Sequence, residues 1–303
     1  MIRKRYSIII LIVFLLSGCG QKPKEEKAYV PENILNQGMT EVSDQNSKKS
    51  FDNISSPIEI ASLIKKIGVP YSNAYLFSPS DDLIKAPAYK KAMVLGILEA
   101  DLSYLNVYKR YDNMKTCIDR IHEVSGTLNV QDVCATDQLN KIACTKGATD
   151  SMSFHMVRCF NEMDKNLKDN KKGNLSAIMI SGIWLESLYM ITQVAKKYPD
   201  KQIIEKIGEQ KILLEKLMIA LYSYSKDAEF APYIEQFELI KNEFASVKVS
   251  YQLGNAEAIE KNDKLVIIQH EKCVITISDA ILKKITTTTE AARKKMILDS
   301  ESL

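Results

Sequence analysis

The sequence predicts an all-α chain: a multi-helix bundle of about seven to nine helices, preceded by a signal peptide and a flexible tether. Three observations carry this. From Pro57 onward, apolar residues recur at helical spacing over long segments. Prolines become rare after Pro87, with only Pro199 and Pro232 beyond it, and a proline inside a helix removes a hydrogen bond and kinks it. Upstream of residue 265 no run of strand formers offers itself as a sheet partner. Residues 57–303 are long enough to bury one sizeable core or two packed halves.

The elements follow in order. Pro57 opens the first helix, with Glu59 in its first turn. Ile60, Leu63, Ile64 and Ile67 form its stripe, and Gly68 stops it. The next helix runs from about Tyr89 to Tyr111. Met93, Gly96, Ala100 and Val107 line one face and Leu95, Leu98, Leu102 and Leu105 another, which predicts a buried helix. Helices are then expected over about 112–124, 150–167, 174–198, 200–224 and 230–251. Asn174 is the expected N-cap of the 174–198 helix, and Pro199 its end. Segment 265–297 carries two patterns. Leu265 to Ile268 and Val274 to Ile277 are strand formers, while Ile267, Val274, Ile281 and Ile285 repeat at helical spacing. With no strand partner visible upstream, the segment is assigned to helix.

The first residues read as an address. Arg3, Lys4 and Arg5 precede the apolar run Ile8 to Leu16, and Ser17 and Gly18 follow. A basic start, a short apolar run and small residues make a secretory signal peptide over 1–18. The run is far shorter than the roughly 20 residues that span a bilayer. Leu16-Ser17-Gly18-Cys19 resembles the lipobox of bacterial lipoproteins. That resemblance implies lipid on Cys19, with palmitate-type acyl chains that together anchor stably where one alone would not. Residues 19–56 are polar, without sustained period, and read as a tether. About 35 flexible residues would hold a domain on the order of 30 Å from the membrane. The expected location is the outer membrane. The charged stretch Gln21 to Glu26 is similar to surface-export tags of Bacteroidetes lipoproteins, and periplasmic face and cell surface both stay open.

The chain has 41 basic and 38 acidic residues. Removing Arg3, Lys4 and Arg5 leaves 38 against 38. A neutral chain lacks the basic footprint of nucleic-acid binding. The expected partners are therefore the membrane, through lipid on Cys19, and an envelope protein or ligand.

Two stretches carry a wider resemblance. Gly96, Ala100, Asp101, Leu102 and Tyr104 form one pattern; Gly182, Trp184, Glu186, Leu188 and Tyr189 form the other. Together with the opening helix "PIEIASLIKKIGVPY", they resemble uncharacterised helical lipoproteins of Bacteroidetes. The resemblance implies an all-helical fold and a lipid anchor, and brings no established activity with it. The cysteine-rich middle and the Thr286 to Thr289 run depart from it.

Asp101 and Glu186 are acids inside apolar helices, so each must find a hydrogen bond or a cation. They form either a structural link or a pocket between the two helices, with Tyr104, Trp184 and Tyr189 as candidate neighbours. Gly96 and Gly182 each weaken a helix by about 1 kcal/mol relative to alanine. A tight crossing of the two helices at these glycines would offset that. Trp184 either stacks on a sugar or packs at the helix interface.

Besides Cys19, the chain holds Cys117, Cys134, Cys144, Cys159 and Cys273. An exported chain permits disulfides. The expected pairs are Cys134–Cys144, stapling the loop between them, and Cys117–Cys159 on the flanking helices. His155 and Cys159, four apart with Cys144 upstream, fit no standard zinc spacing, and neither metal nor cofactor is expected. HExxH, CxxCH, GxSxG and P-loop signatures are absent from the sequence. The leading expectation is a non-catalytic, lipid-anchored binding or structural protein. The alternative is an envelope enzyme using Asp101 and Glu186 in a helical cavity.

Overall fold

A computed structural model describes residues 57–78, 83, 85–145, 147–261 and 264–297, with the side chains of 253–273 excepted. The signal peptide, Cys19 and the tether lie outside the described residues. Among the described residues, nine α-helices and one two-stranded hairpin follow in order: α1 (Pro57–Lys66), α2 (Ala88–Val107), α3 (Tyr111–Leu128), α4 (Thr136–Ala143), α5 (Thr149–Asp169), α6 (Gly173–Lys197), α7 (Lys201–Tyr222), α8 (Ala231–Phe244), β1 (Lys248–Lys261), β2 (Lys264–Thr276) and α9 (Asp279–Ile297). The multi-helix bundle is the observed fold class.

The centre is the α2–α6 pair, the most extensively packed helix pair among the described residues. Every residue from Ala92 to Val107 is buried, because α2 is apolar all round and covered on several sides by α1, α3, α6 and α9. By length and composition α6 alone among the described helices is apolar enough to cross a membrane. Yet 89% of that apolar window is buried in the fold, so its surface serves the protein core.

Several boundaries moved for local reasons. The helix expected over 89–111 breaks at Lys109, which takes φ 57°, and α3 restarts at Tyr111. Arg110 N–H returns to Leu105 O (2.9 Å) and closes the end of α2. Asn174 is not an N-cap: α6 begins at Gly173, and the Asn174 amide donates to Tyr89 Oη (2.6 Å). Asp200 instead caps α7, accepting from the Gln202 and Ile203 amides.

The C-terminal segment is the larger correction. The helix expected over 230–251 ends at Phe244, and residues 248–276 form an antiparallel hairpin in which Val249 pairs with Ile275. The partner that the strand formers after 264 lacked is the stretch 248–261, whose first four residues had been assigned to the end of the 230–251 helix and whose remainder had been assigned to no element. The hairpin root seats on α7 at Gly208. A Cβ there would lie 3.0 Å from Ile277 Cδ1 and closer to Ile275. Only 279–297 of the expected C-terminal helix is helical. There the threonine run bonds its own backbone, with the Thr286 and Thr289 hydroxyls donating to the carbonyls four residues back (2.7 Å each).

Both expected disulfides are replaced by one. Cys134 is bonded to Cys159, with a Cα–Cα distance of 4.6 Å. Cys144 stands exposed at the far end of α4, about 12 Å of helix away from Cys134. Cys117 is a buried free thiol donating to Leu98 O (3.4 Å). The side chain of Cys273 lies outside those described.

Candidate functional site

Asp101 sits in the middle of α2, 3% exposed. Its Oδ2 accepts the Phe77 N–H at 2.9 Å, tying the loop after the first helix to the core. Its Oδ1 is buried without a hydrogen-bond partner among the described residues. Burial and the nearby Glu186 charge push the Asp101 carboxyl well above the usual carboxylate range, against the pull of the Phe77 amide and Arg293.

Glu186, on α6, is fully buried. It is gripped by a fork from α9: Arg293 Nε donates to Oε2 (2.5 Å) and Nη2 to Oε1 (2.6 Å). Burial lifts the Glu186 carboxyl too, with the Arg293 charge and hydrogen bonds working against it. The guanidinium also lies 4.1 Å from the centroid of the half-buried Tyr189 ring and 5.6 Å from that of Phe77. Arg293 was not singled out by sequence reasoning. Its signal was present: it is the one cation in register with the buried positions Thr286, Thr289 and Met296.

A cleft of about 400 Å³ opens between the 73–78 loop, α2 and α3. Asp101, Cys117, Thr116 and Arg120 line it, and Glu186 does not. The two acids are thus electrostatic neighbours without sharing a cavity.

The other expected site residues have structural surroundings. Tyr104 is fully buried and its hydroxyl accepts the Ser72 N–H (3.0 Å). Its ring stacks on Tyr71 at 5.6 Å and packs against Tyr108 at 4.6 Å. Burial raises Tyr104 above the usual phenol range and pushes Tyr108 up to about 12. Trp184 is 1% exposed and packs on Phe237, so the sugar-stacking alternative gives way to the interface one. His155 lies against Gln138 (3.3 Å), and Cys159 is in the disulfide. Among the described residues no group of three or more His, Cys, Asp or Glu could hold a metal ion.

Two further polar groups escaped the sequence reading. Glu99 is buried with Oε2 unpaired, and burial raises its carboxyl to about 8. At one end of the bundle, Tyr89 donates to Asp227 while Asn174 donates to Tyr89 Oη. That cluster joins the starts of α2 and α6 to the α7–α8 loop.

No family model, curated protein or solved structure matches this chain.

Proposed function

We propose that this chain is a lipid-anchored helical protein of the bacterial cell envelope that binds a partner or ligand without catalysis. The observation that carries the non-catalytic reading is the Glu186–Arg293 fork. It neutralises Glu186 and keeps it out of the cleft that Asp101 lines, so these two acids do not face that cleft together. The tight α2–α6 core and the Cys134–Cys159 staple suit a rigid scaffold, and a disulfide suits an oxidising compartment.

The basic start, the apolar run and Leu16-Ser17-Gly18-Cys19 support the anchor. Acyl chains on Cys19 would hold the domain at the outer membrane, on the periplasmic face or the cell surface. Kinship with the uncharacterised helical lipoproteins of Bacteroidetes belongs to the same proposal and rests on the two glycine-centred stretches.

Metabolic labelling with palmitate tests the anchor. The wild type takes up label and begins at Cys19; Cys19→Ala stays unlabelled and uncut. An unlabelled native chain beginning at Met1 overturns the placement. For the binding role, crosslinking of the tagged protein in its own envelope should yield a saturable adduct. Substrate turnover abolished by Asp101→Asn would replace the binding reading with the enzymatic one.

A further inference from the structure

The cleft of about 400 Å³ falls within the range of roughly 300–1,000 Å³ usual for small-molecule sites. Its floor is largely apolar, built by Leu98 and Leu105 of α2 with Phe77 of the loop. One polar atom breaks that floor. Asp101 is almost wholly buried, and its Oδ1 has no partner among the described residues. An unsatisfied buried oxygen is costly, and an occupant able to hydrogen-bond there removes that cost. Toward the mouth stand Asn113 and Thr116, whose side chains both donate and accept.

We propose that this cleft binds a small uncharged molecule bearing several hydroxyls, a polyol or monosaccharide, with one of its oxygens hydrogen-bonded to Asp101 Oδ1 and its C–H face against Leu105 and Phe77.

Charge selects against the other classes. A cation would meet Arg120 at the cleft and lie in the field of Arg293, which acts on Asp101. An anion would approach the carboxyls of Asp101 and Glu186, and would compete with Glu123, which already holds Arg120 at 2.7 Å. A wholly apolar molecule would leave Oδ1 unpaired. Hydroxyls answer Asp101, Asn113 and Thr116 in either direction. Oδ2 is committed to the Phe77 N–H, which leaves Oδ1 as the oxygen that a hydroxyl can meet.

The inference rests on the binding reading above but not on the anchor: absence of lipid on Cys19 would end the anchor and leave the following assay unchanged. Saturation-transfer NMR on the full-length chain uses D-glucose, N-acetyl-D-glucosamine and myo-inositol as neutral probes. Ethanolamine serves as the cationic probe and acetate as the anionic one. At least one neutral polyol should give a saturable signal. That signal should vanish in Thr116→Trp, which fills the mouth from an exposed position. Circular dichroism checks that this variant is folded. A polyol signal surviving Thr116→Trp would place the binding elsewhere and overturn the proposal. Silence from all three polyols, with water alone in the cleft, overturns it too, as does a response confined to ethanolamine or acetate.

Discussion

Gly96 of α2 and Gly182 of α6 oppose each other across the helix crossing, each lying against the backbone three residues before the other. A Cβ on Gly96 would come 2.8 Å from Ile183 N and nearer still to Met179 O. One on Gly182 would come 3.1 Å from the Met93 carbonyl carbon and nearer still to its oxygen. Real Cβ atoms do not approach backbone so closely, so both positions require glycine for space.

Gly182→Ala should therefore destabilise the protein, although alanine is the better helix former by about 1 kcal/mol. Overpacking against rigid backbone costs about 1–3 kcal/mol, and each kcal/mol lowers Tm by roughly 2–4 °C in a domain of this size. Calorimetry showing an unchanged or raised Tm would remove the close crossing.

Breaking the Glu186–Arg293 fork from one side leaves a buried charge unpaired. Arg293→Met should cost about 3–5 kcal/mol, and the double variant Glu186→Gln, Arg293→Met should recover a large part of it. Urea denaturation of the four species of this cycle measures the coupling. Additive losses would mean that the two side chains do not interact.

Glu99 makes stability fall as pH rises. Its folded carboxyl titrates near 8 and the ordinary group near 4.5. Between those values the folded chain keeps a proton that the unfolded chain has lost. The native state is thus progressively disfavoured across the window, and the loss levels off above pH 8. Glu99→Gln should gain on the order of 3 kcal/mol over wild type at pH 8 and little at pH 4. Denaturation midpoints that differ equally at both pH values would refute a buried neutral Glu99.

The Cys134–Cys159 bond closes a sequence separation of 25 residues. Loop closure of that size is worth about 3 kcal/mol. Peptide mapping without reductant should find these two cysteines joined, and Cys134→Ser should lower Tm by several degrees. A Cys134–Cys144 peptide, or free thiols at both 134 and 159, would contradict the fold around α4.

Much of the helical architecture was legible because its signals are local. The stripe of α1, the all-round apolarity of α2 and the mid-helix glycines each declare themselves within a few turns. The crossing of α2 and α6 followed from two such signals read together. The hairpin was missed because its evidence is shared between two segments. Residues 248–251 look like the tail of a helix, and 252–261 like no element at all, until 264–276 is laid beside them. The disulfide failed for a similar reason. Cys134 and Cys144 are close in sequence, but an eight-residue helix holds them apart, and α5 brings Cys159 to Cys134 instead.

The chain of letters by itself determined a helical bundle with a buried pair of glycine-bearing helices and two acids needing partners. Apolar periodicity, helix breakers and the desolvation of carboxylates are properties of short stretches. Only the folded arrangement decided which partner each acid received: Arg293, 107 residues from Glu186, and the Phe77 amide for Asp101, whose other oxygen has no partner among the described residues. Those pairings depend on which distant surfaces meet, and that is set by the packing of the whole bundle.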